Sequence, residues 1–555
     1  MTSTSRQWRA TLAAALTVAV LVAIALATTI SGARSSQAAP IGADATPAAS
    51  SEPIPGVTPS ADASSSQPTT STSAIKNVVT ILADDLDWNT FSQVQRLVDL
   101  RSIGTSFVNS TVTDSLCCPS RTSILRSQYV HSHKVVSNLY ASGGGFQKFF
   151  ELGEQNDCLG TWLHDAGVHT GFIGKYLNEY PNGAPSPTYI PPGWDDWVVP
   201  VDFGKAYKGY GYTLNRNGKL KKYGYKPKDL INDVLTADAQ RFIRRAPDGF
   251  YLQVNTFAPH EPAPVAKRNR NLPSQAVPRT PSYNAVGTDE PSWLAARNPY
   301  FPMRLNKFDI MWSNRVKSAE SVADTVTGVY DALKATGRIN DTLVIVTSDN
   351  GFHAAFHRLP GGKRTAFKED TVVPLVILGP GVTTGGTVTA MSSTVDLAPT
   401  ITSVLGTAPS AIAEGRNLVP FLSSQAAPSD WRTATLTESM SESAPGDPDY
   451  STFSPPRFAS LRSEQWLYVE YVTGEKELYN RYTDPDEMHN LITKEDPSVI
   501  AQLSAQLSAL KSCSGSTCRV ADSMPVPESQ LLPGLSGGTG AGSTPSSIAS
   551  ASPAQ

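Results

Sequence analysis

Two pairs of oxygen-bearing side chains each follow directly on an apolar run. Asp84 and Asp85 close "NVVTILADD" (77–85), and Asp349 and Asn350 follow the run in "DTLVIVTSDNG" (341–351). Four oxygen donors at two strand ends suit a hard cation such as calcium or magnesium. Asp-Asp and Asp-Asn-Gly are also frequent turn formers. It is the matching placement of the two pairs that points to a metal. A second chemistry lies in "DSLCCPSRTSIL" (114–125), where Cys117 and Cys118 stand side by side before Pro-Ser-Arg. A disulfide, a metal site, a core position and a reactive nucleophile are all open to them. Pro119 suits the first turn of a helix, because it lacks an N–H that would go unpaired there. Cys117 would then stand at the helix mouth, where backbone N–H groups favour negative charge. That placement is expected to lower the thiol pKa and activate it. Yet a thiolate is a poor ligand for a hard cation, and a cysteine enzyme needs a histidine partner as well. The residues alone set a reactive position beside a metal that prefers oxygen, a mismatched pair.

Other candidates are weaker one by one. Lys175 in "FIGKYL" and Lys363 in "GGKRT" lie beside glycines after apolar segments, which favours a cleft over the open surface where most lysines sit. His260 lies in a Pro-rich loop, "FAPHEP", and is a pocket candidate or an exposed loop residue. His353 and His357 could line a pocket or belong to a loop, and His131 and His133 are no better placed. Trp88 and Trp194 read as packing residues.

The elements that must position these groups are short apolar runs. Besides the two above there are "HTGFIGKYL" (169–177), "GFYLQVNTFAPH" (249–260) and "VVPLVILGPG" (372–381). Their length and β-branched content predict buried strands. Between them lie helical patterns such as residues 313–337, apolar at helical spacing and closed by a glycine. Alternation of strand and helix predicts a parallel sheet covered on both faces, with chemistry at the carboxyl ends of the strands. After about residue 408 the pattern changes. "EQWLYVEYVTGEKELYN" reads as antiparallel strands, and "PSVIAQLSAQLSALKSC" as a closing helix.

The chain has 555 residues, 40% of them apolar, which allows a large core. Its formal net charge is −3 with 17% charged residues. This argues against nucleic acid as a main partner, since phosphate binding needs a basic excess. Arg6 and Arg9 precede an apolar run from Leu12 to Ile30 and then "SQAAP", the layout of an export signal over residues 1–39. The run is also long enough to remain as an uncleaved membrane anchor. Residues 40–74 read as a Ser/Thr/Ala/Pro-rich linker, and 521–555 as a disordered tail. Residues 75–407 and 408–520 are then the expected catalytic domain and C-terminal subdomain. Export implies an oxidising compartment and a secreted or cell-surface location. Five cysteines leave at least one outside internal disulfides. Cys513 and Cys518 are spaced for a short clip, and a Cys118–Cys158 pair would leave Cys117 over.

"CCPSRTSIL" (117–125) resembles the sulfatase motif Cys-x-Pro-Ser-Arg. In that family the first cysteine is oxidised to Cα-formylglycine, whose hydrate offers oxygens both to calcium and to sulfur. The mismatch then disappears, because the soft sulfur is gone. "ILADDLDW", "FIGKYLNEY" with "PPGWDDW", "TSDNGFHAAFHRLPGGKRTAFKED", "STVDLAPTI" and "ELYNRYTDPDEMHNL" are similar to further family landmarks, most of all in the N-acetylglucosamine-6-sulfatase and arylsulfatase branch. The resemblance implies an alkaline-phosphatase-like α/β fold. Its core is a large mixed, mostly parallel sheet flanked by helices, followed by a smaller C-terminal α+β subdomain. It also implies that Asp84, Asp85, Asp349, Asn350 and the modified Cys117 hold Ca2+. Arg121 and Lys175 would steady the diol, and His260 and Lys363 would bind the sulfate and the leaving oxygen. Ser120 would belong to the recognition motif of the formylglycine-generating enzyme, a maturation partner. Leu177, Arg126, Ser127, Phe367 and Lys368 depart from the pattern of the relatives and leave the substrate's alcohol open. The implied reaction is hydrolysis of a sulfate monoester of a sugar or an aryl alcohol. The alternatives are a phosphate or phosphonate ester hydrolase on the same fold, and a non-catalytic binder of sulfated glycans.

Overall fold

The computed structural model describes residues 75–531, apart from 448 and 452. The export segment, the whole linker and most of the tail lie outside them. Among the described residues no helix is long and apolar enough to cross a membrane.

Ten strands form one mixed sheet: β1 (Asn77–Asp84), β2 (Thr105–Phe107), β3 (His169–Gly174), β4 (Asp196–Pro200), β5 (Thr213–Arg216), β6 (Lys219–Lys222), β7 (Phe250–Pro259), β8 (Thr342–Ser348), β9 (Leu375–Leu378) and β10 (Gly386–Val388). Their order is β10-β2-β9-β8-β1-β7-β3-β4-β5-β6. The centre, β8-β1-β7-β3-β4, is parallel throughout. β9 and the β5–β6 hairpin run antiparallel to their neighbours.

Side chains of a strand alternate between the faces of its sheet, and β1 shows both faces buried. Val79, Ile81 and Ala83 pack with α2 (Ile231–Arg245) and α3 (Pro302–Ala335) on one side. Val78 and Leu82 pack on the other with Ile124, Leu125, Leu397 and Ile401, carried by α1 (Cys117–Arg126) and α4 (Leu397–Val404). A strand buried on both faces reads as the continuous apolar run seen in the sequence. The helix expected over 313–337 begins earlier, at Pro302. That proline takes the first turn, and Phe308 and Trp312 extend the buried stripe.

The C-terminal part forms an antiparallel sheet of β11 (Ala434–Ser439), β12 (Phe458–Ser463), β13 (Trp466–Tyr471) and β14 (Lys476–Asn480). Helix α5 (Pro497–Ser512) lays Val499, Leu503, Leu507 and Leu510 on it. Packing continues past residue 520, where the tail was expected to begin. The buried Asp522 carboxylate pairs with Arg416 and Arg432. Cys513 and Cys518 form the expected clip. The Cys118–Cys158 pair does not form: both thiols are free and buried, and Cys158 Sγ lies against the Gln155 carbonyl instead.

Glu477 of β14 is fully buried and accepts hydrogen bonds from Tyr471 (2.6 Å) and Tyr479 (2.8 Å). Burial raises its pKa from 4.5 to about 7, against the pull of those hydroxyls. Between these two values the folded chain keeps a proton that the unfolded chain has lost, so stability falls as pH rises through that window. The shift corresponds to about 3 kcal/mol. Urea unfolding at either end of the window should show Glu477→Gln losing less stability with rising pH than the parent. Identical pH dependence in the two proteins would contradict this origin.

Candidate active site

Asp84 ends β1, and Asp349 and Asn350 follow β8, the parallel neighbour of β1. The two carboxyl ends therefore lie side by side. Asp85 takes a left-handed backbone conformation (φ 66°), which turns the chain at the strand end. Its carbonyl accepts from the buried Arg315 guanidinium at 2.6 Å, and its N–H donates to Asp349 Oδ1 at 3.1 Å. Asn350 Nδ2 donates to Asp85 Oδ1 at 2.7 Å. All four residues are buried.

Cys117 opens α1, with Pro119 in the first turn as expected. Its Sγ lies 3.6 Å from Asp84 Oδ1 and 3.9 Å from Asp85 Oδ1, with Lys363 Nζ at 2.8 Å. The expected activation of the thiol is corrected. Burial pushes the Cys117 pKa well above its ordinary value despite Lys175 and Lys363. A helix mouth favours an anion, but removal from water and two adjacent carboxylates outweigh it here. As a thiol this residue is a poor nucleophile.

The cations close around the acids. Lys175 Nζ donates to both Asp84 oxygens at 2.8 and 2.9 Å, and Lys363 Nζ donates to Asp85 Oδ1 at 2.5 Å. Burial opposes charge on each lysine, yet Asp84 and Cys117 around Lys175, and Asp449 and Asp85 around Lys363, hold both ammoniums well above their ordinary range. Arg121 Nε binds Asp349 Oδ2 at 2.7 Å, and its Nη1 binds the Lys175 carbonyl at 2.8 Å. Against its burial, Arg121 and Lys175 keep Asp349 ionised below the usual carboxylate range. His260 Nε2 lies 3.8 Å from Asp85 and 3.3 Å from Asp449, while its Nδ1 meets the Glu261 carbonyl at 2.6 Å. Burial disfavours its charge, but Asp85, Asp84 and Asp449 prevail and raise its pKa. Tyr207 stacks on its ring, 4.2 Å between centroids.

The structure thus brings together all nine residues singled out in the sequence: Asp84, Asp85, Cys117, Arg121, Lys175, His260, Asp349, Asn350 and Lys363. The remaining histidines stand apart from this cluster. His353 binds Asp370 at 2.9 Å and pairs its backbone with Gly362, which fixes the loop that carries Lys363. His357 faces Glu369 and stacks on Phe367, and His131 binds Glu438. His133 is buried against Ser123. Ser120 donates to the Asp349 carbonyl, and Trp194 is core.

One group escaped the sequence reading. Asp449 lies 3.2 Å from Lys363 and 3.3 Å from His260, with Cys117 Sγ at 3.8 Å and Asn138 Nδ2 donating to it at 2.9 Å. Lys363 and His260 hold its carboxyl well below the ordinary range in spite of burial. Its segment, "SESAPGDPDY", has the composition of a solvated loop, so only spatial proximity marks it.

The chain is similar to known proteins in both sequence and fold. The sulfatase family model matches residues 76–407, and that of the N-sulphoglucosamine sulphohydrolase C-terminal region matches residues 357–513. The N-acetylglucosamine-6-sulfatases of Capra hircus and Homo sapiens are each 31% identical over 481 residues. Those alignments cover 80% of this chain and 84% and 86% of the relatives. The arylsulfatase of Volvox carteri is 27% identical, covering 80% and 75%. In fold, the chain is similar to a protein solved in complex with its substrate, D-glucosamine-2-N,6-O-disulfate (TM-score 0.66, 19% identity, 81% and 99% covered). It is also similar to a phosphonate monoester hydrolase from Silicibacter pomeroyi (TM-score 0.58, 23% identity, 78% and 94% covered). The mixed, mostly parallel sheet flanked by helices is of the alkaline-phosphatase-like fold class. Within that class the chain belongs to the sulfatase family, in the branch of the N-acetylglucosamine-6-sulfatases and arylsulfatases. It is a sulfuric ester hydrolase.

Proposed function

We propose that the chain releases sulfate from a sulfated sugar, with residue 117 converted to formylglycine and Ca2+ bound at the strand ends. The observation that carries the reading is the buried cluster in which Cys117 meets Asp84, Asp85 and Lys363 within 4 Å. Relatives named as N-acetylglucosamine-6-sulfatases support a sugar substrate. Those named as extracellular sulfatases, 32% identical in Caenorhabditis elegans and Drosophila melanogaster, support a secreted or cell-surface location. A formylglycine-generating enzyme would act on Cys117 during maturation.

The donor set fits calcium. Ligand atoms of Asp84, Asp85, Cys117 and His260 lie within 4.8 Å of one another. Asn350 Oδ1 is buried with no hydrogen-bond partner among the described residues, an acceptor left over that a cation would satisfy. Asp84, Asp85, Asp349 and Asn350 would hold the ion, which would draw charge from the sulfate oxygens. A hydrated aldehyde at 117 would supply one hydroxyl to attack sulfur and a second to expel the sulfate afterwards.

The chain's own residues supply the rest. Lys363 and His260 present positive or donor groups to the sulfate and to the leaving oxygen, and either can deliver the proton the alcohol needs. Lys175 and Arg121 neutralise the carboxylates and fix residue 117 between them. Such preorganised groups act without reorganisation during the reaction. Sulfate release from N-acetylglucosamine-6-sulfate and an aryl sulfate, with and without a chelator, tests the reading. We expect turnover that chelation abolishes and calcium restores. Full activity after exhaustive chelation would contradict the metal.

Asp449 is an anion on the same cations that a sulfate ester needs, so an entering ester must displace or share it. Asp449→Asn is expected to lower KM for small sulfate esters several-fold, by removal of like-charge repulsion. Steady-state kinetics at fixed ionic strength checks this, and an unchanged or raised KM would show that the carboxylate does not compete.

A further inference from the structure

Among the described residues two clusters gather enough ligating side chains for an ion. One is at the active site, and the other is formed by His131, Cys513 and Cys518. The second takes no part in the proposed reaction. His131 lies in a short helix (Val130–His133) soon after α1, and the two cysteines close the loop between α5 and the helix Ser516–Ala521. One ligand atom from each of the three residues lies within 4.8 Å of the other two. Zinc bound by two thiolates and an imidazole in a tetrahedron sets its ligand atoms roughly 3.5–3.8 Å apart. With the disulfide open, the sulfurs need only part and the ring draw in slightly.

The ring is also oriented as a ligand would be. Its Nδ1 lies 2.8 Å from Glu438 Oε2, which accepts from the His131 backbone N–H as well, at 3.2 Å. Its Nε2 lies 2.9 Å from the Cys513 carbonyl and so is aimed at the cysteine loop. A histidine on zinc gives its other ring N–H to a carboxylate, carbonyl or water, which fixes the ring and makes it a better donor to the metal. Glu438, on β11, stands in that place. Glu414 steadies the loop from another side, accepting from Ser132 Oγ at 2.6 Å and from the Gly515 N–H at 3.3 Å. A disulfide in an exported chain is ordinary, and a histidine on a carbonyl can be a plain hydrogen bond. That reading explains each contact singly. It does not explain why two cysteines, an imidazole and its orienting carboxylate meet at one point.

We propose that His131, Cys513 and Cys518 form a zinc site in the reduced chain, which the Cys513–Cys518 disulfide replaces on oxidation. As Zn2+ enters, each thiol gives up its proton, and His131 Nε2 gives up the one it shares with the Cys513 carbonyl. A water completes the tetrahedron. Two thiolates favour zinc over calcium, so the two clusters of this molecule take different metals. A small-molecule disulfide then takes two electrons from the thiolates and leaves as two thiolates of its own. The protein sulfurs join and the ion is freed. Either closure holds the end of α5 against the segment that follows α1, the helix opened by residue 117. The inference stands apart from the reading of the active site.

The test uses the full chain carrying Cys117→Ala, so that no thiol remains at the active site. It is kept under a phosphine reductant from lysis onward, with calcium present and Co2+ as the spectroscopic stand-in for zinc. Cobalt should bind with the near-ultraviolet thiolate charge-transfer band and the intense visible bands of a tetrahedral site. Zinc should displace it, and a small-molecule disulfide should bleach the bands. Adding Cys513→Ser with Cys518→Ser should abolish them. Glu438→Gln should keep their shape but weaken cobalt binding about 10–100-fold, a change that a carboxylate of merely structural role would not produce. His131→Gln, which keeps a hydrogen-bond donor for the Cys513 carbonyl, should weaken binding at least as much. The titration of the reduced chain needs no change at the site itself, so it stands even where a variant fails to fold. Absence of a thiolate band in that chain would overturn the proposal. So would bands that survive loss of both cysteines, or a cobalt affinity that neither His131→Gln nor Glu438→Gln alters.

Discussion

A Cys117→Ser variant is expected to fold but to lose steady sulfate release, by about 10³-fold or more. Serine keeps an oxygen within reach of Asp84, Asp85 and Lys363, the groups that surround Sγ at 3.6, 3.9 and 2.8 Å. It can therefore accept the sulfuryl group once. What it lacks is the second hydroxyl on the same carbon that would expel sulfate and regenerate the nucleophile. A serine ester must wait for a separate water, in a site where residue 117 is fully buried. The variant should accumulate sulfate on residue 117, visible as a heavier 102–121 tryptic peptide, while Cys117→Ala shows neither turnover nor adduct. Parent-like multiple turnover by the serine variant would remove the diol from the account.

The second large effect concerns Lys363. Its ammonium touches the nucleophile position, Asp85 and Asp449 at once (2.8, 2.5 and 3.2 Å). Removing one preorganised donor of this kind typically costs about 3 kcal/mol of barrier, or roughly 10²–10³ in kcat. Lys363→Ala should show that loss with a smaller change in KM. The loss should be greater for sugar sulfates than for aryl sulfates, because an alkoxide leaving oxygen needs a positive partner more than a phenolate does. Lys363→Ala also leaves Asp85 without its buried counter-charge, which destabilises the fold. Measuring kcat well below the unfolding midpoint, with Lys363→Arg beside it, separates the two effects. Equal losses on both leaving groups would place Lys363 on the carboxylates alone.

The parts of this molecule that were legible in the sequence share a physical cause. Strands β1, β3, β7 and β8 are buried on both faces, so each leaves an apolar run that breaks where the chain exits the core. The break falls on the residues that the sheet delivers to its carboxyl edge, and Asp84, Asp85, Asp349 and Asn350 stand there. The antiparallel direction of β9 and the β5–β6 hairpin left no such trace. An apolar run carries no sense of strand direction, and β6 is exposed along its length. Asp449 was hidden because its role comes from a loop folding back over 86 residues of sequence to reach Lys363. Helix position alone predicts an activated thiol at 117, and burial, which the sequence does not display, reverses it. A Cys118–Cys158 pair follows from count and compartment alone, which say nothing of bonding distance; both thiols stay free within one buried core cluster.

The most direct test is peptide mass spectrometry of the active protein made by its native producer. Trypsin releases residues 102–121, which hold Cys117 and Cys118. Conversion of the thiol to an aldehyde lowers the mass of this peptide by about 18 Da, and fragmentation should assign the loss to residue 117. The modified fraction should rise and fall with specific activity across preparations. An unmodified cysteine at 117 in fully active protein would contradict the account.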